Sequence, residues 1–142
     1  MVEEETLKWF RFAEMDFQTA IHLYENMYPP PNEIICFHCQ QAVEKFLKGL
    51  LINFGEEIIK THDLSLLVSR LQKFVDLSDD EKKICAKLSL YAVKVRYPHE
   101  LEIQEQHVKA AIEDTKIILE RFKNFTTMKE PEDNENPAEV IE

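Results

Sequence analysis

The near-absence of glycine restricts this chain more than any other feature, because only Gly49 and Gly55 occur in 142 residues. Two glycines spaced this way cannot build a glycine-rich dinucleotide turn or phosphate loop, so side chains must hold any bound nucleotide. A chain with 44% apolar and 31% charged residues and so few glycines suits helices better than a turn-rich sheet. Its length suits one domain with a single core.

Apolar residues recur at steps of three and four in five successive stretches, which is typical of helices that bury one face. The predicted helices cover residues 3–27, 33–54, 61–75, 79–96 and 103–125. The second helix has the broadest apolar surface, which places it at the centre. We therefore expect an all-α fold, a five-helix antiparallel up-and-down bundle spanning residues 1–125.

Polar residues mark several predicted helix ends. Asn32 follows three prolines and is expected to cap the second helix, which Gly55 ends in a left-handed conformation. Thr61 is the expected N-cap of the third helix. Ser78 and Glu81 form the pattern of a capping box that opens the fourth.

Residues 126–142 contain six acidic residues, one lysine and two prolines, which predicts a disordered acidic tail. The three cysteines are an odd number, and no signal-like segment opens the chain, so we expect a cytoplasmic protein. No apolar run approaches the roughly 20 residues that cross a membrane.

A short cysteine-histidine run, Cys36-Phe37-His38-Cys39, has the residue types of a metal site. A zinc site needs four ligands, and no second pair with suitable spacing follows. We therefore expect no metal and no cofactor. Cys39 and Cys85 fall at core-facing positions and are interpreted as small apolar residues.

The charge of the chain is unevenly distributed. The formal net charge is −10, which argues against bulk attraction to nucleic acid or an anionic membrane. Residues 82–96, however, contain five basic residues and no acidic one. Lys83, Lys87 and Lys94 share one side of the fourth helix and lead toward Arg96. This basic stripe either steers a phosphate chain or is a solvated face balanced by acids on adjacent helices.

Directly after the stripe, the sequence reads Arg96-Tyr97-Pro98-His99-Glu100. An arginine can bind phosphate oxygens through two parallel bonds, and a histidine can transfer protons near neutral pH. Together Arg96 and His99 can support phosphodiester cleavage without a metal. The alternative is a helix C-terminus in which both side chains bond the last carbonyls.

The second helix also carries a polar face, made of Gln41, Glu44, Lys45 and Lys48. Glu44 and Lys48 are in the favourable i, i+4 order of a surface salt bridge, worth a few tenths of a kcal/mol. The same four residues can also form a polar patch that faces the fourth helix.

Three segments in this order resemble the HEPN (higher eukaryotes and prokaryotes nucleotide-binding) family. The first has the family's Q-A-x-E-K-x-x-K pattern over residues 41–48, the second is Thr61-His62-Asp63-Leu64, and the third is Tyr91 followed by Arg96-Tyr97-Pro98. The resemblance implies a homodimer, often encoded beside a minimal nucleotidyltransferase with which it forms a toxin–antitoxin pair. Many members are ribonucleases that need no metal.

The ribonuclease motif of that family is an arginine followed, after about four to six residues, by a histidine. Arg96 matches the arginine, but His99 follows after two intervening residues and His107 after ten. The sequence departs from the motif here, and catalysis does not follow from the resemblance.

We predict that the protein binds a nucleotide or an RNA phosphate in a cleft between the second and fourth helices. Arg96 would hold the phosphate and His99 would act as acid or base. Further candidate binding residues are Lys45, Lys48, Tyr91, Lys94 and Tyr97, with Gln41 and Glu44 as supporting polar groups. The alternative is a non-catalytic interaction module whose basic stripe docks an acidic partner.

Overall fold

The computed structural model describes residues 4–94 and 102–127, and within them it contains helices and no strand. The helices are α1 (Glu4–Asn26), α2 (Asn32–Asn53), α3 (Leu64–Leu71), α4 (Asp79–Lys94), α5 (Glu105–Arg121) and α6 (Lys123–Thr127). The all-α prediction is confirmed. No helix in this part of the chain is long and apolar enough to cross a membrane.

The second helix is the centre of the bundle, as its broad apolar surface predicts. It packs against α1, α3, α4 and α5, and its contact with α1 is the most extensive in the fold. Phe46 of α2 joins two neighbours, with ring centroids 4.8 Å from Phe10 and 6.1 Å from Phe122. Cys36, Cys39 and Cys85 are buried in this core.

Helices α1 and α2 approach closely at Gly49. A Cβ atom added there would lie 2.9 Å from Cβ of Trp9 and 3.0 Å from Cε1 of Phe10. Such separations are shorter than normal van der Waals contact, so the position accepts only a residue without a side chain. Glycine at this position therefore allows the two helices to pack closely.

Two of the four predicted helix ends are confirmed. Gly55 has a φ of 93° and ends α2 in the left-handed region. Ser78 and Glu81 form the capping box, since the Ser78 amide donates to Glu81 Oε1 (2.9 Å) and the Glu81 amide to Ser78 Oγ (3.1 Å).

The other two predicted caps are wrong. Asp63 rather than Thr61 caps α3, because the Asp63 carboxylate accepts the amide of Ser65 at 3.0 Å. Asn32 is the first residue of α2 and not its cap. Its side chain instead donates to the carbonyl of Ile103 at 3.1 Å and so ties α2 to the chain that enters α5.

Two predicted helices are also shorter than expected. The third ends at Leu71, and Phe74 lies beyond it, stacked on Phe54 at 4.7 Å and 40% exposed. The segment 103–125 is divided at Phe122 into α5 and α6. Residues 128–142 of the predicted tail lie outside the described residues.

Candidate functional site

The candidate site lies where α2, α4 and the segment before α3 meet. The Tyr91 phenol of α4 lies beside the Cys36 thiol of α2. Ser89 of α4 accepts the amide of Leu64 (2.9 Å) and donates to the carbonyl of His62 (3.4 Å), which also accepts from the Gln40 side chain (3.2 Å). The C-terminal half of α4 therefore lies beside the N-terminal half of α2.

A buried carboxylate is the centre of this junction. Glu44 is 4% exposed, and its carboxylate accepts hydrogen bonds from three side chains of its own helix. Oε2 accepts from Lys48 Nζ (2.9 Å), while Oε1 accepts from the side-chain amides of Gln40 (3.0 Å) and Gln41 (3.3 Å). His62 Nδ1 lies 3.0 and 3.2 Å from the two oxygens. We call these five residues the Glu44 network.

The structure corrects the surface salt bridge expected for Glu44 and Lys48. Both side chains are buried, at 5% and 9% exposure, and the lysine Nζ lies 5.9 Å from the centre of the Trp9 ring in α1. Burial raises the pKa of Glu44, but the hydrogen bonds from Lys48, Gln40 and His62 outweigh it and lower the pKa below its ordinary value. The pair thus belongs to the interior.

His62 is a site residue that the sequence interpretation missed. Its side chain is 57% exposed, although Nδ1 faces the buried Glu44 carboxylate. An ionised carboxylate can only accept, so Nδ1 is the ring nitrogen that donates to Glu44. A signal was present, because polar residues such as Gln40 and Glu44 on an otherwise apolar central helix require a polar partner from another element.

Lys45 belongs to a second ion-pair cluster. Asp16 of α1, 13% exposed, lies 2.6 Å from Lys45 Nζ and 2.9 Å from His38 Nδ1. Lys45 and Lys48 therefore both contact α1, and each is paired with a carboxylate. The structure does not bring these two lysines to α4 as unpaired cations.

Tyr91 and the three cysteines have pKa values well above their ordinary ones. Burial, with Cys36 and Cys39 nearby, raises the pKa of the half-buried Tyr91 phenol to about 12, so it stays protonated at neutral pH. Burial also raises the pKa of Cys36, Cys39 and Cys85 to about 12. These thiols are core groups, and no cluster suited to a metal occurs in residues 4–94 and 102–127.

The remaining predicted site residues lie at or beyond the end of α4. Lys94 is its last residue, whereas Arg96, Tyr97 and His99 lie outside the described residues. Lys87 Nζ is 3.3 Å from Asp114 of α5, so one lysine of the basic stripe is balanced by an acid on an adjacent helix.

The arrangement defines a class of small helical bundle in which a central second helix carries a buried polar network at its junction with the fourth. Two solved structures share the fold. One is TT1696 from Thermus thermophilus, with a TM-score of 0.74 and 23% identity over 86% of this chain and 98% of that chain. The other is ST0689, an archaeal HEPN homologue, with a TM-score of 0.68, 25% identity and the same coverage.

The chain belongs to the HEPN domain family, whose model matches residues 6–125. The resemblance in the sequence is thereby confirmed, over nearly all of the predicted bundle. No curated protein matches the sequence.

The acid dependence of stability tests the Glu44 network. Because the pKa of Glu44 is lowered by folding, its contribution is complete above the ordinary carboxyl pKa and is lost as pH falls through the folded value. Between about pH 6 and about pH 3, we expect the urea midpoint to fall more in the wild type than in Glu44→Gln. The exposed Glu57→Gln variant should keep the wild-type slope. Parallel profiles for Glu44→Gln and the wild type would contradict the assignment.

Proposed function

We propose that this HEPN-domain protein binds a phosphate group of a nucleotide or an RNA chain at the junction of α2 and α4. The observation that supports the proposal is the direction of α4. Its C-terminal half lies against the N-terminal half of α2, and Ser89 in that half bonds the carbonyl of His62 in the Glu44 network. The segment 82–96, to which this half belongs, has five basic residues and no acid. An anion is attracted to this place on an otherwise acidic chain.

The roles of the residues follow from their charges. Lys45 and Lys48 are neutralised by Asp16 and Glu44, so we assign the attraction of the phosphate to Lys94 and Arg96. In this proposal Arg96 binds the phosphate oxygens, and Tyr97 or Tyr91 contacts the nucleotide.

The finer proposals rest on family membership and the resemblance. The protein forms a homodimer and acts with a minimal nucleotidyltransferase in a toxin–antitoxin pair. Metal-independent RNA cleavage, with Arg96 and His99 as the candidate pair, is the most specific form of the proposal.

Substitution of Arg96 tests the binding site. A bidentate charge-assisted contact is worth about 1.5–3 kcal/mol, so Arg96→Ala should weaken binding of a fluorescein-labelled RNA about 10- to 100-fold at low salt. Fluorescence anisotropy measures the affinity. Lys8→Ala removes the same charge from the exposed face of α1 and should change the affinity little. If both variants lose the same affinity, RNA binding reflects non-specific charge attraction, and Arg96 is not part of a binding site. His99→Ala should retain binding and abolish any cleavage.

A groove along α4 supports a second candidate function, that of a protein-interaction module. Exposed Lys83 and Lys87 of α4 line a groove of about 520 Å³ together with Ile117, which is 42% exposed. The other lining residues are Ser78, Asp80, Glu81 and Ile84. Such a surface fits the alternative of an interaction module for an acidic partner. Loss of a co-purifying protein in a Lys83→Glu, Lys87→Glu variant that still binds RNA normally would favour it.

A further inference from the structure

A furrow lies between α1 and α5, and none of its lining residues belongs to α4. Helices α1 and α5 both pack on α2 but make few contacts with each other, which leaves a groove of about 540 Å³ between them. The two helices run in opposite directions. The Tyr24 hydroxyl near the end of α1 accordingly donates to Glu105 at the start of α5, at 2.9 Å.

The furrow has an apolar floor and a charged rim. The floor is formed by Phe10, Phe17, Phe46 and Leu119, and the rim by Arg11, Glu14, Gln18, Lys116, Glu120 and Lys123. Glu14 is held by a hydrogen bond from Gln18 at 2.8 Å. The two helices place Arg11 and Lys116 toward opposite ends of the furrow. A matching ligand has aliphatic side chains in the middle and a negative charge at each end.

The chain itself contains such a segment. Residues 139–142 read Glu-Val-Ile-Glu, so Val140 and Ile141 are the aliphatic pair and an acid stands on either side. The whole segment 128–142 carries six acids and one lysine, opposite in sign to the net charge of the rim. Pro131 and Pro137 disfavour a helix and suit an extended strand of chain.

The position and length of this segment match the furrow. α6 begins at Lys123 on the rim and ends at Thr127, so the described chain ends four residues beyond the rim. From Arg11 to Gln18, the furrow extends about 10 Å along α1 at a rise of ~1.5 Å per residue. Four extended residues span about 13 Å, and the eleven residues 128–138 reach up to about 36 Å, enough to turn back.

We propose that residues 139–142 dock in the furrow between α1 and α5 of their own chain, with Val140 and Ile141 on the aromatic floor. Glu139 and Glu142 then face the cations at its two ends. The floor residues Phe10, Phe17 and Phe46 are 8%, 8% and 4% exposed, and the docked segment covers this remaining surface. This self-docking is independent of the phosphate site, which lies at the junction of α2 and α4.

Photochemical cross-linking of the full chain tests the proposal. With p-benzoylphenylalanine in place of Ala138, irradiation should join the segment to residues 10–18 and 116–123 within one chain, as identified by mass spectrometry. Because the tail is part of the same chain, random contact with the furrow could also give some cross-links. A matched variant with Val140→Asp and Ile141→Asp controls for this and should lose the cross-links that depend on docking. Cross-links to other surfaces, cross-links between two chains, or a yield that the double substitution leaves unchanged would overturn the proposal.

A charge exchange provides the second test. Lys116→Glu should lower the cross-link yield roughly two- to fivefold, as expected for loss of an exposed ion pair. Adding Arg11→Glu, Glu139→Lys and Glu142→Lys to that variant should restore the yield, because opposite charges then meet again at both ends of the furrow. Circular dichroism confirms that each variant is folded. If the exchange brings no recovery in folded protein, the proposed charge pairing is wrong.

Discussion

Replacing Glu44 by alanine is expected to lower the free energy of unfolding by about 3–5 kcal/mol, because it leaves a buried ammonium group without its counter-charge. The Lys48 side chain is only 9% exposed and has Glu44 as its carboxylate partner. His62 loses the same partner. Urea unfolding followed by circular dichroism measures the loss. The effect is large since the cost is the desolvation of Lys48, not the modest net value of the pair.

A double substitution separates these two quantities. Glu44→Leu with Lys48→Met removes both charges and keeps apolar volume, and such replacements of buried ion pairs are often close to neutral. The double variant should therefore be more stable than Glu44→Ala. A loss below about 1 kcal/mol for Glu44→Ala would mean that the pair behaves as an exposed salt bridge, contrary to its burial.

The second large effect is expected at Gly49, where valine should destabilise the protein by about 3 kcal/mol. A side chain there meets Cβ of Trp9 at 2.9 Å, and this atom cannot move without its helix. The whole of α1 must shift away from α2, which loosens the most extensive packing in the fold. Thermal unfolding gives the change in Tm.

The other glycine is a matched comparison. Gly55 has open space around the position of a Cβ atom, and its φ of 93° is its only constraint. Gly55→Ala should therefore cost about 1 kcal/mol from backbone strain alone. If Gly55→Ala destabilises more than Gly49→Val, close helix approach is not the reason for glycine at position 49.

The helices themselves were predictable from the sequence, because apolar periodicity reports which face each helix buries. Their ends were harder, since several nearby polar residues compete for one capping role. Thr61 stands two residues before the true cap, and its hydroxyl accepts the amide of Asp63 at 3.0 Å. Asp63 then accepts the first free amide of α3. The sequence offers both Thr61 and Asp63 as the cap, and only the three-dimensional geometry shows that Asp63 is the one.

The candidate site was predictable in part. The spacing of Glu44 and Lys48 is the same for a surface pair and a buried one, so burial depends on what covers them. His62 covers the carboxylate from 18 residues away, and no local pattern reports that contact. The pairing of Lys45 with Asp16 spans 29 residues and was hidden for the same reason.

The packing of α1 on α2 also bears on the order in which the chain folds. Only five residues, 27–31, separate the two helices, so their association closes a short loop at small entropic cost. The bond from Asn32 to Ile103, in contrast, joins residues 71 apart. Contacts that are local in sequence form faster than distant ones. We therefore expect the α1–α2 hairpin to form the early scaffold on which α4 and α5 assemble, with the Glu44 network and the furrow completed late.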